Sequence, residues 1–357
     1  MTLRNIAIVF GIIVAAIVAI VAVVVFLPKD VETKASNSPS GSQKGPSHSP
    51  LQAEPLNTNP SSKTIDWKRF DTTATNPENG TPAFSAKNFE DFIAKHGDTP
   101  ANLIAVFEQS GKREWLDRAL SLHPDSPIVL VSAITDPSKA TDEQRREWID
   151  KLKAVESNNP VPWILSSNAL FKSGQKTSAI AEASAALERP AFYTYVPERI
   201  AAAQALYESS GMHPLEAELM GTVGLRMSLL SPVLAVGKAL EASKTEEGST
   251  AHSVADAARI QFGLGKIFQT PEASRLLISQ LVGVALEKRG LAVLPAAERE
   301  RRKAEIEIFT KSTAGLVETV TRLTSSRDEE RLAQYARRLR TEGELSAMRW
   351  LQSQEKK

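Results

Sequence analysis

The chain has 357 residues whose charges nearly cancel, 43 Lys and Arg against 42 Asp and Glu for a net +1, and it contains no cysteine. Without a net field the composition offers no attraction for nucleic acid or for an acidic membrane surface. The missing thiols exclude disulfides, cysteine nucleophiles and Cys-ligated zinc.

After a short tail, residues 1–5, Ile6 to Leu27 is an unbroken apolar run without a charged residue. A helix of that length spans roughly the 30 Å hydrocarbon core of a bilayer, and a helix in a soluble core would carry a polar stripe. No Ala-x-Ala-like cleavage site follows near Leu27-Pro28-Lys29-Asp30, so the run predicts an uncleaved, single-pass anchor contacting lipid. Arg4 precedes it and Lys29, Lys34 and Lys44 follow, so basic residues alone do not place the N-terminus in the cytoplasm. A short tail before one apolar helix is nevertheless the arrangement of a signal anchor, and export of the bulk of the chain to a periplasmic or extracytoplasmic side is expected. Gly11, Ala15 and Ala19 recur at four-residue spacing, a small-residue face on which two such helices would meet as a homodimer.

Residues 28–85 are rich in Ser, Pro, Asn, Thr and Gly, a composition that cannot bury enough apolar area to offset chain entropy. A disordered linker is expected there, with a reach on the order of 45 Å. Inside it, Ile65-Asp-Trp67-Lys-Arg-Phe70 places two aromatics in a polar stretch, the pattern either of a short docking segment against the chain's own helices or of isolated local clustering.

From about residue 86 the chain is Ala-, Leu-, Glu- and Arg-rich, which favours helix. Asn88 is a candidate N-cap for the first helix, and Thr99-Pro100 opens the next. An aromatic followed by Ser-Gly closes a helix three times, at Phe107…Ser110-Gly111, Phe171…Ser173-Gly174 and Tyr207…Ser210-Gly211. Pro127, Pro162, Pro197 and Pro232 stand 35 residues apart, and proline suits a helix's first turn, where its missing N–H is not needed. Helical spacing continues through Val254–Phe262, Leu276–Leu286 and Ile306–Leu323. Gly343 divides the last stretch into a closing helix pair, and Glu298 to Lys303 predicts a solvated helix face.

The clearest unit runs from Asn159 to Pro197. With Trp163 at the fourth position of a repeat, Leu170, Gly174, Ala179, Ala186 and Leu187 fall on the preferred residue types of a tetratricopeptide repeat, which this stretch resembles over about residues 159–190. The resemblance implies an all-α fold over residues 86–357, an α-solenoid of antiparallel helix pairs with Trp163 in the core. It further implies a concave face lined by the first helix of each pair, with Ile164, Asn168, Phe171 and Lys172 facing the groove. In family members that grip a peptide's terminal carboxylate, an Asn at the position of Asn168 belongs to the clamp. The matching clamp lysine is Ile164 in this chain, and the next unit offers Ala201 and Ala205. The expected partner is therefore an extended or helical segment of another protein in a mixed apolar and polar groove.

No catalytic constellation emerges. Gly263-Leu-Gly265-Lys266 lacks phosphate-loop spacing and follows no strand. His252 and Asp256 share a helix face without a third metal ligand, and His96, His123 and His213 sit beside Gly or Pro at helix ends. Neither a metal nor a cofactor is expected. The reading is a membrane-tethered helical-repeat scaffold of the cell envelope. Two others stay open: a structural envelope protein spanning a gap through its linker, and an enzyme or enzyme subunit with an unrecognised site.

Overall fold

The computed structural model describes residues 84–355 apart from 137–139, 190, 247–248, 272 and 327, and among these it is all-α. Fifteen α-helices follow one another: α1 (Ala86–His96), α2 (Pro100–Ser110), α3 (Arg113–Leu122), α4 (Pro127–Thr135), α5 (Asp142–Val155), α6 (Val161–Lys172), α7 (Lys176–Ala186), α8 (Val196–Ser209), α9 (Pro214–Val223), α10 (Leu230–Thr245), α11 (Ala251–Ile267), α12 (Leu277–Gly290), α13 (Ala296–Ser326), α14 (Glu329–Glu342) and α15 (Glu344–Glu355). No helix among the described residues is long and apolar enough to cross a membrane. The run Ile6–Leu27, its Gly11/Ala15/Ala19 face and the linker up to residue 83 lie outside them.

Local chemistry sets the helix ends. The four evenly spaced prolines lie in the first turns of α4, α6, α8 and α10. Gly111, Gly174 and Gly211, which follow the three aromatic-Ser closures, adopt φ of 67°, 78° and 84°, a left-handed conformation in which a Cβ is costly. Gly343 does the same at 87° between α14 and α15. The first helix differs from expectation by three residues. Ser85 is its N-cap and Asn88 completes a capping box, because the Asn side chain reaches back to the Ser85 N–H at 2.9 Å.

Consecutive helices pack as pairs, α2 with α3, α4 with α5, α6 with α7, α8 with α9, α11 with α12, and α14 with α15. The pairs do not stack in chain order. In a linear solenoid each unit touches only its neighbours, whereas α8 packs along α2 and α6 packs along α10. The cause is the link between α7 and α8. Asn159, buried at the turn before α6, donates from Nδ2 to the Tyr193 carbonyl at 2.9 Å, and its Oδ1 accepts from the N–H groups of Tyr193 (3.3 Å) and Val161 (3.2 Å). Phe192 is thereby seated against Phe268, ring centroids 4.8 Å apart. Tyr195 then turns the chain at a positive φ of 57°.

Helix α8 meets α2 through buried polar groups. The Arg199 guanidinium pairs with the Glu108 carboxylate, each side chain 7% exposed, and donates to the Arg226 carbonyl at 2.5 Å. Burial pushes the Glu108 carboxyl above its ordinary range, opposed by the charge and hydrogen bond of Arg199. Beside this pair, the Tyr207 hydroxyl donates to Gln109 Oε1 at 2.9 Å.

Helices α11 and α12 cross closely and run antiparallel. A Cβ on Gly265 would meet the backbone of Gly283 and Glu287 at 2.6 and 2.5 Å, and one on Gly290 would meet Phe262 N at 2.3 Å. Gly263 to Lys266 thus lies within α11 as part of a helix crossing, not in a loop. Glu287 at this crossing has no exposed side-chain surface and takes two hydrogen bonds from Arg302, at 2.6 and 2.8 Å, and one from Gln269 at 2.6 Å. Arg302 comes from the charged run at 298–303, so that face is not wholly solvated.

Candidate functional site

A cleft of about 620 Å³ opens between α5, α6 and the start of α10. Helix α6 supplies one wall because Pro162 fixes its first turn and Gly174 its end. Between these, Leu165, Asn168 and Lys172 recur at spacings of three and four and share one face toward the cleft. Helix α5 contributes Arg146, Asp150 and Lys153, and α10 contributes Ser231 and Pro232.

The electrostatics of the floor are largely settled internally. Lys153 Nζ donates to both carboxylate oxygens of Glu182 on α7, at 2.7 and 2.8 Å, and to Ser166 Oγ at 3.1 Å. Arg145 Nη2 donates to the Asp136 carbonyl at 3.3 Å. Asn168 and Lys172 on α6 differ, as do Arg146 and Asp150 on α5, which have no hydrogen-bonding or ionic partner among the described residues. The Asn168 side chain is 9% exposed, yet neither its amide nor the Lys172 ammonium has a hydrogen-bonding or ionic partner among the described residues. The Asn168 amide atoms are not among the buried polar atoms without a partner, so they open to the cleft and present donor and acceptor capacity to whatever enters it.

The four residues expected to share a groove are divided by the structure. Asn168 and Lys172 line the cleft. Ile164 is wholly buried in the main apolar core, so it cannot touch a partner. Phe171 packs on the same core and is not part of the lining. The register fails here because α6 is covered on a further side by α10, which no repeat pattern in α6 encodes. Trp163 is also corrected. It is half-buried at the edge of the core, with the Arg189 guanidinium 4.1 Å above its ring and Lys153 Nζ at 5.8 Å. The wholly buried positions of that unit include Val161, Ile164, Ala179, Ala183 and Ala186. Arg145, Asp150 and Lys153 were missed, because α5 reads from sequence as an ordinary charged helix.

The histidines take end-of-helix roles. His213 Nδ1 accepts from the Leu215 N–H at 3.2 Å to cap α9, and His123 Nε2 lies 2.5 Å from the Asp98 carbonyl. His252 and Asp256 form an exposed i,i+4 pair at 3.2 Å. Among the described residues no group of three or more His, Asp or Glu side chains is placed to hold a metal ion.

No protein family model, no curated protein and no solved structure matches the chain.

Proposed function

We propose that this chain is a membrane-tethered scaffold built from degenerate tetratricopeptide-type helix pairs, and that it holds a segment of another protein in the cleft between α5, α6 and α10. The observation that carries the reading is the pairing of Asn168 and Lys172. One is the amide of a mostly buried residue and the other a cation, both without a protein partner among the described residues and both open to the cleft. A peptide backbone satisfies such an amide, and an acidic side chain satisfies the ammonium. The apolar stretch from Ile134 through Ile149 and Leu165 to Pro232 offers contact for the segment's apolar side chains. The left-handed glycines at 111, 174 and 211 and the first-turn prolines support the repeat reading. The tether rests on the uncharged run Ile6–Leu27.

The test is a pull-down with the full chain against Asn168→Ala/Lys172→Ala. Removing two central contacts of an interface costs on the order of 2 kcal/mol or more, so retention of a specific partner falls at least about tenfold. A partner retained at full strength by the double variant places the site elsewhere.

A further inference from the structure

A second concavity, about 340 Å³, lies between α8, α9 and α14. It exists because α8 carries Ala201 and Ala205 where longer side chains would fill the space. Val196, Ile200, Leu276 and Leu339 complete an apolar floor. Its rim is charged. Glu208 and Glu218 stand on one side and Arg275 and Arg340 on the other, with Arg340 Nε 3.6 Å from Glu218 Oε1. The volume is at the low end for ligand pockets, roughly 300–1,000 Å³, which suits one or two anchoring side chains better than a large cofactor.

We propose that Ile65–Phe70 of the same chain docks in this groove. The segment lies outside the described residues, and three observations tie it to this site. The first is where the described chain begins. The Phe84 ring lies tilted against Tyr207 of α8, ring centroids 5.2 Å apart, and against Phe89 at 5.3 Å. The chain therefore enters on one face of the helix whose neighbouring face forms the groove.

The second is length. The groove follows α8 from Pro197 to Glu208, roughly 17 Å at 1.5 Å per residue. The connecting residues 71–83 reach on the order of 20 Å as a coil. A segment tethered at that distance is present at an effective concentration on the order of millimolar, which a free competitor must match. The third is chemistry. Trp67 and Phe70 match the apolar Ala201/Ala205 floor in kind, Lys68 and Arg69 are opposite in charge to Glu208 and Glu218 on the rim, and Asp66 is opposite in charge to Arg275. The linker then holds the helical domain at a fixed register from its tether, not on a free chain.

Because the chain has no cysteine, disulfide trapping in the full-length protein in detergent reads the contact directly. Lys68→Cys/Gln204→Cys reports the groove. Lys68→Cys/Lys87→Cys is the control, since Lys87 is exposed on α1, lies outside the groove and is nearer the tether along the chain. The groove pair closes at least about tenfold faster than the control, the ratio that 1.4 kcal/mol of docking produces. The product is a cross-linked monomer, and Trp67→Ser/Phe70→Ser removes the difference. Equal rates for the two pairs, cross-links only between two chains, or rates indifferent to the aromatic substitutions overturn the proposal. This proposal and the α5–α6–α10 cleft concern different surfaces, and either stands without the other.

Discussion

Two buried acids show how single residues hold this fold. Glu108 and Arg199 are each almost wholly enclosed, so neither charge has water to fall back on when the other is removed. Arg199→Ala is expected to cost about 3–5 kcal/mol in urea unfolding, the penalty for stranding a buried charge. Arg199→Met/Glu108→Leu costs far less, because no charge is left stranded, and a double-mutant cycle measures the difference. Glu287 is the contrasting case. Burial works to raise its carboxyl pKa, but hydrogen bonds from Arg302 and Gln269 and the charges of Arg302 and Lys266 outweigh it and hold the group below its ordinary range. Its folded pKa lies below the unfolded value. The stabilisation is therefore complete above an unfolded pKa of about 4.3 and is lost as pH falls through the folded value. Glu287→Gln should lower stability at neutral pH by about 1.5–3 kcal/mol, the range for hydrogen bonds to a charged group. The variant should also lose less stability than the parent between neutral and acidic pH, and parallel pH profiles would contradict the assignment.

At the scale of the element, glycine and proline made much of the fold legible. Pro127, Pro162, Pro197 and Pro232 open helices, and the Ser-Gly closures end them, because both residues act through their own backbone and need no tertiary context. The α11–α12 crossing follows a different logic. Gly290→Ala forces a methyl against Phe262 N and the Ala258 carbonyl at 2.3 and 2.5 Å, and backbone cannot move aside as a side chain can. Overpacking of this kind costs roughly 1–3 kcal/mol, and calorimetry on the variant should show a lowered Tm. An unchanged Tm would mean the two helices are further apart than described. What the sequence hid depends on partners distant along the chain. Trp163 carries Arg189 on its face, Ile164 is enclosed in the main core, and Arg302 leaves a charged run to reach Glu287. Periodicity within one helix reports which faces are apolar, not which neighbour covers them.

Over the whole molecule the decisive event is the redirection at 191–195. Asn159 fixes the link, Tyr195 turns it, and the α8–α9 pair is laid against α2 while α10 takes the place beside α6. A 35-residue proline period announces repeated units but carries no instruction on stacking order, so linear stacking was the natural expectation and is not what forms. The rearrangement also shapes the cleft. The α5–α6–α10 cleft exists because α10, not α8, packs along α6, and it is there that Asn168 and Lys172 are displayed. The most direct test of that site is photocross-linking from inside the full-length protein in its native cells. A photoreactive amino acid at Lys172 should capture one discrete protein, and Asn168→Ala in the same chain should abolish the adduct, whereas the same probe at Glu298 on α13 captures none. Identical adducts from both positions, or an adduct at Lys172 that Asn168→Ala leaves undiminished, would contradict the assignment of this cleft as the partner-binding site.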